Sequence, residues 1–345
     1  MLAPGIEELL VCPTDRTPLV RDVDGRLACG GGHRYPVVEG VPVLLPEGVA
    51  GTIDAASASR KRAHGETAGD SRAPELHLES LGLADHEKAA IAQLWRAGPG
   101  GIDPVVQFLI AATCGIGYRE SLGRLSRYPI PEFPLSLKPG SLLVDIGCNW
   151  GRWSFSAERA GHRVAGVDPQ LGALLAARRV ARDLGREVSF ICADARYLPF
   201  ADGRVDAVFS YSVLQHFSRA DCVAAVREIG RVLRADGVSM VQMANALGLR
   251  SLQHLVRREF RETRAFEVRY YTPGQLIDLF ASNVGPTSLT ADSFLGLGLQ
   301  ASDLDILSPL ARMAARISGV GRKVSAVIPP VARLADSVYL QSTKR

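Results

Sequence analysis

Along the middle of the chain, apolar runs of five or six residues alternate with longer stretches that mix apolar and charged positions. Short unbroken apolar runs predict strands buried on both faces, and the mixed stretches between them predict crossover helices. The predicted strands are 142–146, 163–167, 188–193, 205–210 and 238–243, followed later by 286–291 and 337–341. Strands alternating with helices in this way point to an α/β fold on a mostly parallel sheet. Thr272 followed by Pro273 predicts the start of a capped helix, and the Leu-, Ala- and Arg-rich stretch 304–334 predicts a further helical segment.

Ahead of these strands the pattern changes. Residues 1–48 carry only short β-like runs between turn residues, which predicts a separate small ribbon of three or four strands. Residues 49–74 turn polar and lose their periodicity, which predicts a flexible linker. Residues 75–126 read as mostly helical, with a break at Pro99 and Gly100.

The strand at 142–146 runs straight into Gly147-Cys148-Asn149-Trp150-Gly151 and then a helical stretch. A glycine-bounded turn there lets a ligand lie against bare backbone, facing the amides of a helix N-terminus. The next strand leads into Asp168, 23 residues beyond Asp145. An acidic residue about 20 positions on, at the tip of the second strand, is placed to accept hydrogen bonds from a ribose diol. The third strand leads into Asp194-Ala195, and the fourth into Tyr211-Ser212-Val213-Leu214-Gln215-His216. The Gly147-to-Gly151 spacing lacks the third glycine of G-x-G-x-x-G, which argues against a dinucleotide-binding domain.

These residues resemble the class I S-adenosylmethionine-dependent methyltransferases, type 11-like. The matching motifs are VDIGCNWGRWS (144–154), VAGVDPQ (164–170), CADARYLPF (192–200), VDAVFSYSVLQHF (205–217) and EIGRVLRADGVSMVQMAN (228–245). The resemblance implies a Rossmann-like sheet of seven strands, six parallel and one antiparallel, with 286–291 and 337–341 as an edge hairpin. It implies a methyltransferase domain over 139–345, with insertions at about 246–271 and 292–336, and a helical N-terminal cover at 75–138. It also implies cofactor-binding roles. Asp145, Gly147, Cys148 and Gly151 would surround the methionine part of S-adenosyl-L-methionine, Asp168 would hold the ribose hydroxyls, and Asp194 with Ala195 would meet the adenine edge. Asn149 stands where the family usually has glycine; asparagine tolerates positive φ, so the turn survives.

Residues 1–48 resemble the Trm112-like ribbon, through the ending YPVVEGVPVLL (35–45). Related ribbons often carry two pairs of metal ligands, and here the pairs read Cys12 with Asp15 and Cys29 with His33. A structural zinc site usually takes thiolate or imidazole ligands, and aspartate is an unusual fourth. Zinc is therefore an option, and a metal-free ribbon is favoured.

Composition narrows the partners. A chain of 345 residues with 47% hydrophobic content can hold about two domains and a sizeable core. A net charge of +4 with 6% aromatic residues gives little support to a nucleic-acid surface. No apolar run approaches the roughly 20 residues that a membrane span needs. The N-terminal stretch lacks the pattern of a signal peptide, and six scattered cysteines read as reduced thiols, so the cytoplasm is the expected compartment.

In the resembling family the sulfonium already activates the methyl group, so alignment is the main demand on the protein. A hydroxyl acceptor gains from a general base, and His216 is the candidate, with Tyr211 and Gln215 as alternative polar contacts. The segment 249–271 sets six arginines against Glu259, Glu262 and Glu267. It predicts either a grip on an anionic acceptor or a solvated helix with pairs such as Arg258–Glu262. The 292–336 insertion is expected to be a lid or a packing or dimer surface. The expected function is O-methylation of a small molecule or glycan. The alternatives are an RNA methyltransferase with an N-terminal ribbon and a non-catalytic methyltransferase-like binding subunit.

Overall fold

In the computed structural model, which describes residues 2–98, 101–113, 122–123, 125–261, 267–296 and 298–345, the apolar runs become strands at nearly the expected bounds. The chain divides into two compact units, Met1–Arg204 and Val205–Arg345.

Unit 1 begins with β1 (Leu19–Arg21), β2 (Leu27–Cys29) and β3 (Arg34–Tyr35), an antiparallel ribbon, and the hairpin of β4 (Val37–Val38) and β5 (Val41–Leu44). Three helices follow: α1 (Asp54–Ala63), α2 (Asp85–Ala97) and α3 (Pro104–Thr113). Then come β6 (Leu142–Ile146), α4 (Arg152–Arg159), β7 (Arg163–Asp168), α5 (Leu171–Leu184) and β8 (Ser189–Ala193). β6, β7 and β8 lie side by side and parallel, with Val144 opposite Ala165 and Val167 opposite Ile191. Every residue of β6 and β8 is buried, as an unbroken apolar run requires when helices cover both faces. α5 buries Leu171, Leu174, Leu175 and Val180, and Gly185 ends it in the left-handed region.

The N-terminal ribbon is not the separate domain expected from its composition. β5 runs parallel to β8, with Val43 opposite Cys192 and Leu44 opposite Ala193. Val11 N donates to Pro199 O (3.1 Å), Ala201 N to Leu9 O (3.0 Å) and Ala3 N to Ser189 Oγ (2.8 Å). All four residues of β5 are buried. An uncovered β8 would present a row of unpaired backbone groups, and β5 supplies their partner.

The expected linker is a further correction, because it contains α1. That helix buries Ala55, Ala56 and Ser59, and Ser59 Oγ accepts from Leu171 N (2.9 Å) at the start of α5. Small residues give a weak hydrophobic signal while allowing close packing. In the predicted helical cover, α3 is buried from Pro104 to Ala111, and Asp103 holds Arg179 of α5 (2.6 Å). The expected break at Pro99 and Gly100 lies outside the described residues, as do 114–121 and 124 of the expected helical cover.

Unit 2 contains β9 (Val205–Ser210), α6 (Arg219–Val232), β10 (Leu233–Ala244), α7 (Leu249–Arg257), α8 (Pro273–Asn283), β11 (Thr287–Ser293), α9 (Pro309–Val327) and β12 (Ser337–Thr343). Its strands are ordered β9-β10-β12-β11; β9 and β10 are parallel, and β12 is antiparallel to both its neighbours. The chain is α/β with the Rossmann-like alternation expected. Thr272 caps α8 as predicted: its hydroxyl accepts from Gln275 N, and Gln275 Oε1 accepts from Thr272 N. Glu262 of the expected Arg258–Glu262 pair lies outside the described residues, and Arg258 meets Glu267 at 3.4 Å. No helix among the described residues is long and apolar enough to cross a membrane.

Leu44→Ala tests the role of the N-terminal hairpin. Leu44 is fully buried, so the variant should lose about 2–5 kcal/mol in urea unfolding. A chain starting at Arg72 should fail to fold, because it exposes the edge of β8. A soluble truncated protein with a cooperative melt would show that the β5–β8 pairing is dispensable.

Candidate functional site

In unit 1 the ends of β6 and β7 carry the chemistry. Asp145 lies opposite Gly166, two residues before Asp168. The turn after β6 folds back on β7, because Gly147 N and Cys148 N both donate to Val167 O (2.7 and 3.1 Å). Gly147 (φ 72°), Asn149 (φ 48°) and Gly151 (φ 88°) supply the left-handed conformations this needs, so Asn149 does serve where the family has glycine. Asn149 also ties the turn down. Its amide donates to Asp168 Oδ2 (2.9 Å), and its Oδ1 accepts from Trp150 N (2.9 Å). Gly166 was not singled out from sequence, yet a Cβ there would meet Cys148 Sγ at 2.8 Å and Phe190 at 2.9 Å. The available signal was a glycine inside an apolar strand, which often marks a close approach.

Two buried carboxyls face this turn. Burial pushes Asp145 up to about 7, against the Ser154 hydroxyl that donates to it at 2.6 Å; the nearby Asp168 charge adds to the rise. Burial likewise pushes Asp168 up to about 6, against hydrogen bonds from the amides of Gln170 and Asn149. Such carboxyls suit a cationic ligand, whose charge offsets the cost of ionising them.

At the end of β8, Asp194 is 3% exposed and gripped by a fork. Arg196 Nε meets its Oδ1 at 3.0 Å, and the same guanidinium reaches Oδ2 at 2.7 Å. Arg196 also donates to Ala50 O (2.6 Å), so Asp194 anchors the segment before α1. A cavity of about 470 Å³ opens here, lined by Leu45, Pro46, Val49, Ile53, Arg60 and Asp194. No residue of 45–60 was expected near the carboxyl ends of the strands.

The chain has relatives among known proteins. Residues 143–237 match the family model described as a methyltransferase domain. A ubiquinone biosynthesis O-methyltransferase from Azorhizobium caulinodans is 30% identical over 149 residues, 41% of this chain and 58% of that protein. The chain carries a class I S-adenosylmethionine-dependent methyltransferase domain. A probable tRNA methyltransferase 9B from Mus musculus is 36% identical over 113 residues, 32% of this chain and 24% of that protein. The chain thus spans less than two thirds of the length of either relative. Among solved structures, the YcgJ protein of Bacillus subtilis aligns at 21% identity and a TM-score of 0.42, over 61% of this chain and 94% of that one.

The methyltransferase motif after β9 lies in unit 2. Ser212 has φ +61°, and a short 3-10 turn spans Leu214–His216. Arg269 secures that turn: its amide donates to Gln215 O (2.8 Å) and its guanidinium to His216 O (2.7 Å). Of the six arginines in 249–271, this one is buried as a brace, while Arg250, Arg257 and Arg261 are exposed. Gln215 is 1% exposed; its Nε2 donates to Ser212 Oγ (2.8 Å), and its Oε1 has no hydrogen-bond partner among the described residues. His216 departs from the expectation of a base poised near neutrality. Burial lowers it to about 4; a backbone hydrogen bond at Glu267 opposes the shift, and the Arg269 charge adds to it. Such an imidazole stays neutral at pH 7 and is a poor proton acceptor. Tyr211 donates to Asp292 Oδ2 (2.8 Å) and accepts from Gln300 Nε2 (2.9 Å); neither partner was foreseen.

The ribbon brings its four candidate ligands together. The donor atoms of Cys12, Asp15, Cys29 and His33 all lie within 4.8 Å of one another. His33 Nδ1 is 3.6 Å from Cys12 Sγ, 3.4 Å from Cys29 Sγ and 3.1 Å from Asp15 Oδ2, and Cys29 Sγ is 3.2 Å from Asp15 Oδ2. Tetrahedral bonds of about 2.3 Å to sulfur and about 2.0–2.1 Å to nitrogen or oxygen set ligand atoms roughly 3.2–3.8 Å apart. The residues therefore fit a zinc ion. A Cβ on Gly31 would collide with the Asp15 carboxylate, so glycine there leaves room for that ligand.

The paired carboxyls predict a pH dependence for cofactor binding at this turn. A cationic ligand prefers both ionised, so below their raised pKa values of about 7 and about 6 binding must first expel protons. Affinity for S-adenosylmethionine should fall as pH drops from about 8 to about 5, with net proton release seen by calorimetry in buffers of different ionisation enthalpy. Flat affinity across that range would mean that these carboxyls do not face the cationic groups.

Proposed function

We propose that the chain is an enzyme transferring the methyl group of S-adenosylmethionine to a hydroxyl of a small-molecule or glycan acceptor. The observation that carries this reading is the turn from Asp145 to Gly151, clamped on Val167 O and Asp168 beside two buried carboxyls. S-adenosylmethionine supplies an electrophilic methyl on a sulfonium, and the residues of the turn hold and orient it. Asp168 takes the ribose hydroxyls, and Ala195 meets the adenine edge, with Asp194 acting through the Arg196 fork. On the acceptor side, the unpartnered Gln215 Oε1 offers an acceptor for a donor group of the incoming molecule. His216 stays neutral and helps position that molecule, so alignment is the main catalytic contribution. The O-methyltransferase among the relatives supports this choice of atom, and the tRNA methyltransferase keeps an RNA acceptor as the second reading.

We also infer that Cys12, Asp15, Cys29 and His33 bind structural zinc, reversing the preference for a metal-free ribbon. The convergence of the four donor atoms supports it.

Three outcomes test these roles. Asp168→Ala should weaken cofactor binding about 10- to 150-fold, the worth of its charge-assisted hydrogen bonds; unchanged affinity removes Asp168 from the ribose. At saturating cofactor, His216→Asn should keep turnover within about tenfold and leave the turnover profile flat from about pH 6 to 8, whereas a loss of roughly 100-fold restores it as the base. The protein purified intact should carry one equivalent of zinc, lost or weakened in Cys29→Ser and Asp15→Ala; metal-free protein that cannot be loaded with zinc defeats the site. Labelled cofactor incubated with fractionated small molecules and with total RNA separates the two acceptor readings.

A further inference from the structure

The helix α9 seats itself on small residues and leaves its large apolar ones outside. Ser318 and Ser325 are buried, and a Cβ on Gly321 would meet the Phe294 ring at 2.7 Å. Ser318 Oγ accepts from Phe294 N (3.0 Å), just beyond β11. By contrast, Leu310, Met313, Ile317, Val320, Val324 and Val327 are 42–82% exposed. They recur every three or four residues, which makes one continuous stripe along this 19-residue helix, about 28 Å long. An ordinary surface helix buries such a stripe and exposes its small and polar face.

The charge around the stripe has a single sign. Arg312, Arg316, Arg322, Lys323 and Arg333 are exposed, and no Asp or Glu occurs from 308 to 335. At 100° per residue, Arg312, Arg316 and Lys323 fall on one flank of the stripe. α7 repeats the design: Leu249, Leu252 and Val256 are 45–68% exposed, among the exposed Arg250 and Arg257. Asp336 links the two regions. Its Oδ1 accepts from Ser251 N of α7 (2.9 Å), its Oδ2 accepts from Leu295 N after β11 (2.7 Å), and it follows the short turn that continues α9.

An apolar stripe bordered by cations suits a bilayer surface, with aliphatic side chains in the acyl boundary and basic ones among anionic head groups. Nucleic acid would engage the cations and leave the aliphatic stripe without a role. A second copy of this chain would bring two cationic borders together. We propose that α9, assisted by α7, docks this protein on an anionic membrane surface. The proposal does not depend on the identity of the methyl acceptor.

Co-sedimentation of the full-length protein with vesicles tests it. Vesicles of phosphatidylcholine mixed with phosphatidylglycerol should bind the protein, vesicles of phosphatidylcholine alone should not, and high salt should weaken binding. The double variant Ile317→Glu/Val320→Glu should abolish the partition. Arg316→Glu/Lys323→Glu should lower it by more than about tenfold, since each surface cation is worth about fivefold. Both sets of side chains are exposed, so melting temperature and cofactor affinity should stay at wild-type values. Failure to bind anionic vesicles, or equal binding to neutral ones, overturns the proposal. So does a wild-type dimer in light scattering that Ile317→Glu splits, which would assign the stripe to a second copy. Salt-sensitive RNA binding without vesicle binding would assign the cations to nucleic acid and overturn it as well.

Discussion

The turn that follows β6 depends on one carbonyl. Val167 O, at the end of β7, accepts from both Gly147 N and Cys148 N, so the turn after β6 is held to the neighbouring strand. Each such hydrogen bond contributes only about 1 kcal/mol net. Their larger effect is positional. With the turn fixed there, Asn149 N reaches Asp168, and Gly166 leaves the space that Cys148 occupies. Two carboxyls can then stay buried beside a backbone that a ligand can approach. A looser turn would leave Asp168 without one of its amide donors, and a buried carboxylate tolerates that poorly.

The parts legible in the sequence are those whose cause is local. The strands that became β6 to β10 were visible as apolar runs, and Asp145, Gly147, Gly151 and Asp168 were visible as a turn and a strand tip at fixed spacing. What escaped depends on partners distant in sequence. The run Val41–Leu44 suits a ribbon strand and a sheet-edge strand equally, and only its pairing with Cys192 and Ala193 decides between them. α1 escaped because its buried face is made of alanine and serine, whose value lies in close approach to α5 rather than in hydrophobicity. The ribbon spacing suggested two ligand pairs, but whether Asp15 reaches Cys29 and His33 is a question of turn geometry.

The turn after β9 shows the same division at a single residue. Position after β9 marks His216 out, but position does not set its chemistry. Burial and the charge of Arg269, 53 residues later, lower its affinity for a proton. The same arginine, read in sequence as one of six in a charged segment, braces the Gln215–His216 turn. Asp292 lies 81 residues from the Tyr211 it binds, so no motif could have linked them.

The hairpin of β11 and β12 explains how unit 2 accommodates so long an excursion. The two strands pair continuously from Thr287 opposite Ser342 to Ala291 opposite Val338, and resume at Ser293 opposite Ser337 after a single irregularity. Closing a longer loop between paired strands adds little entropy cost, because that cost grows only with the logarithm of length. The excursion from 294 to 336 can therefore carry a helix of its own without disturbing the register. It meets the end of β11 through Ser318 and the following Phe294 through Gly321, residues that demand little volume. The large side chains of α9 are thus left free of any duty to the core, and the features of that helix which folding does not explain are its aliphatic stripe and its uniform charge.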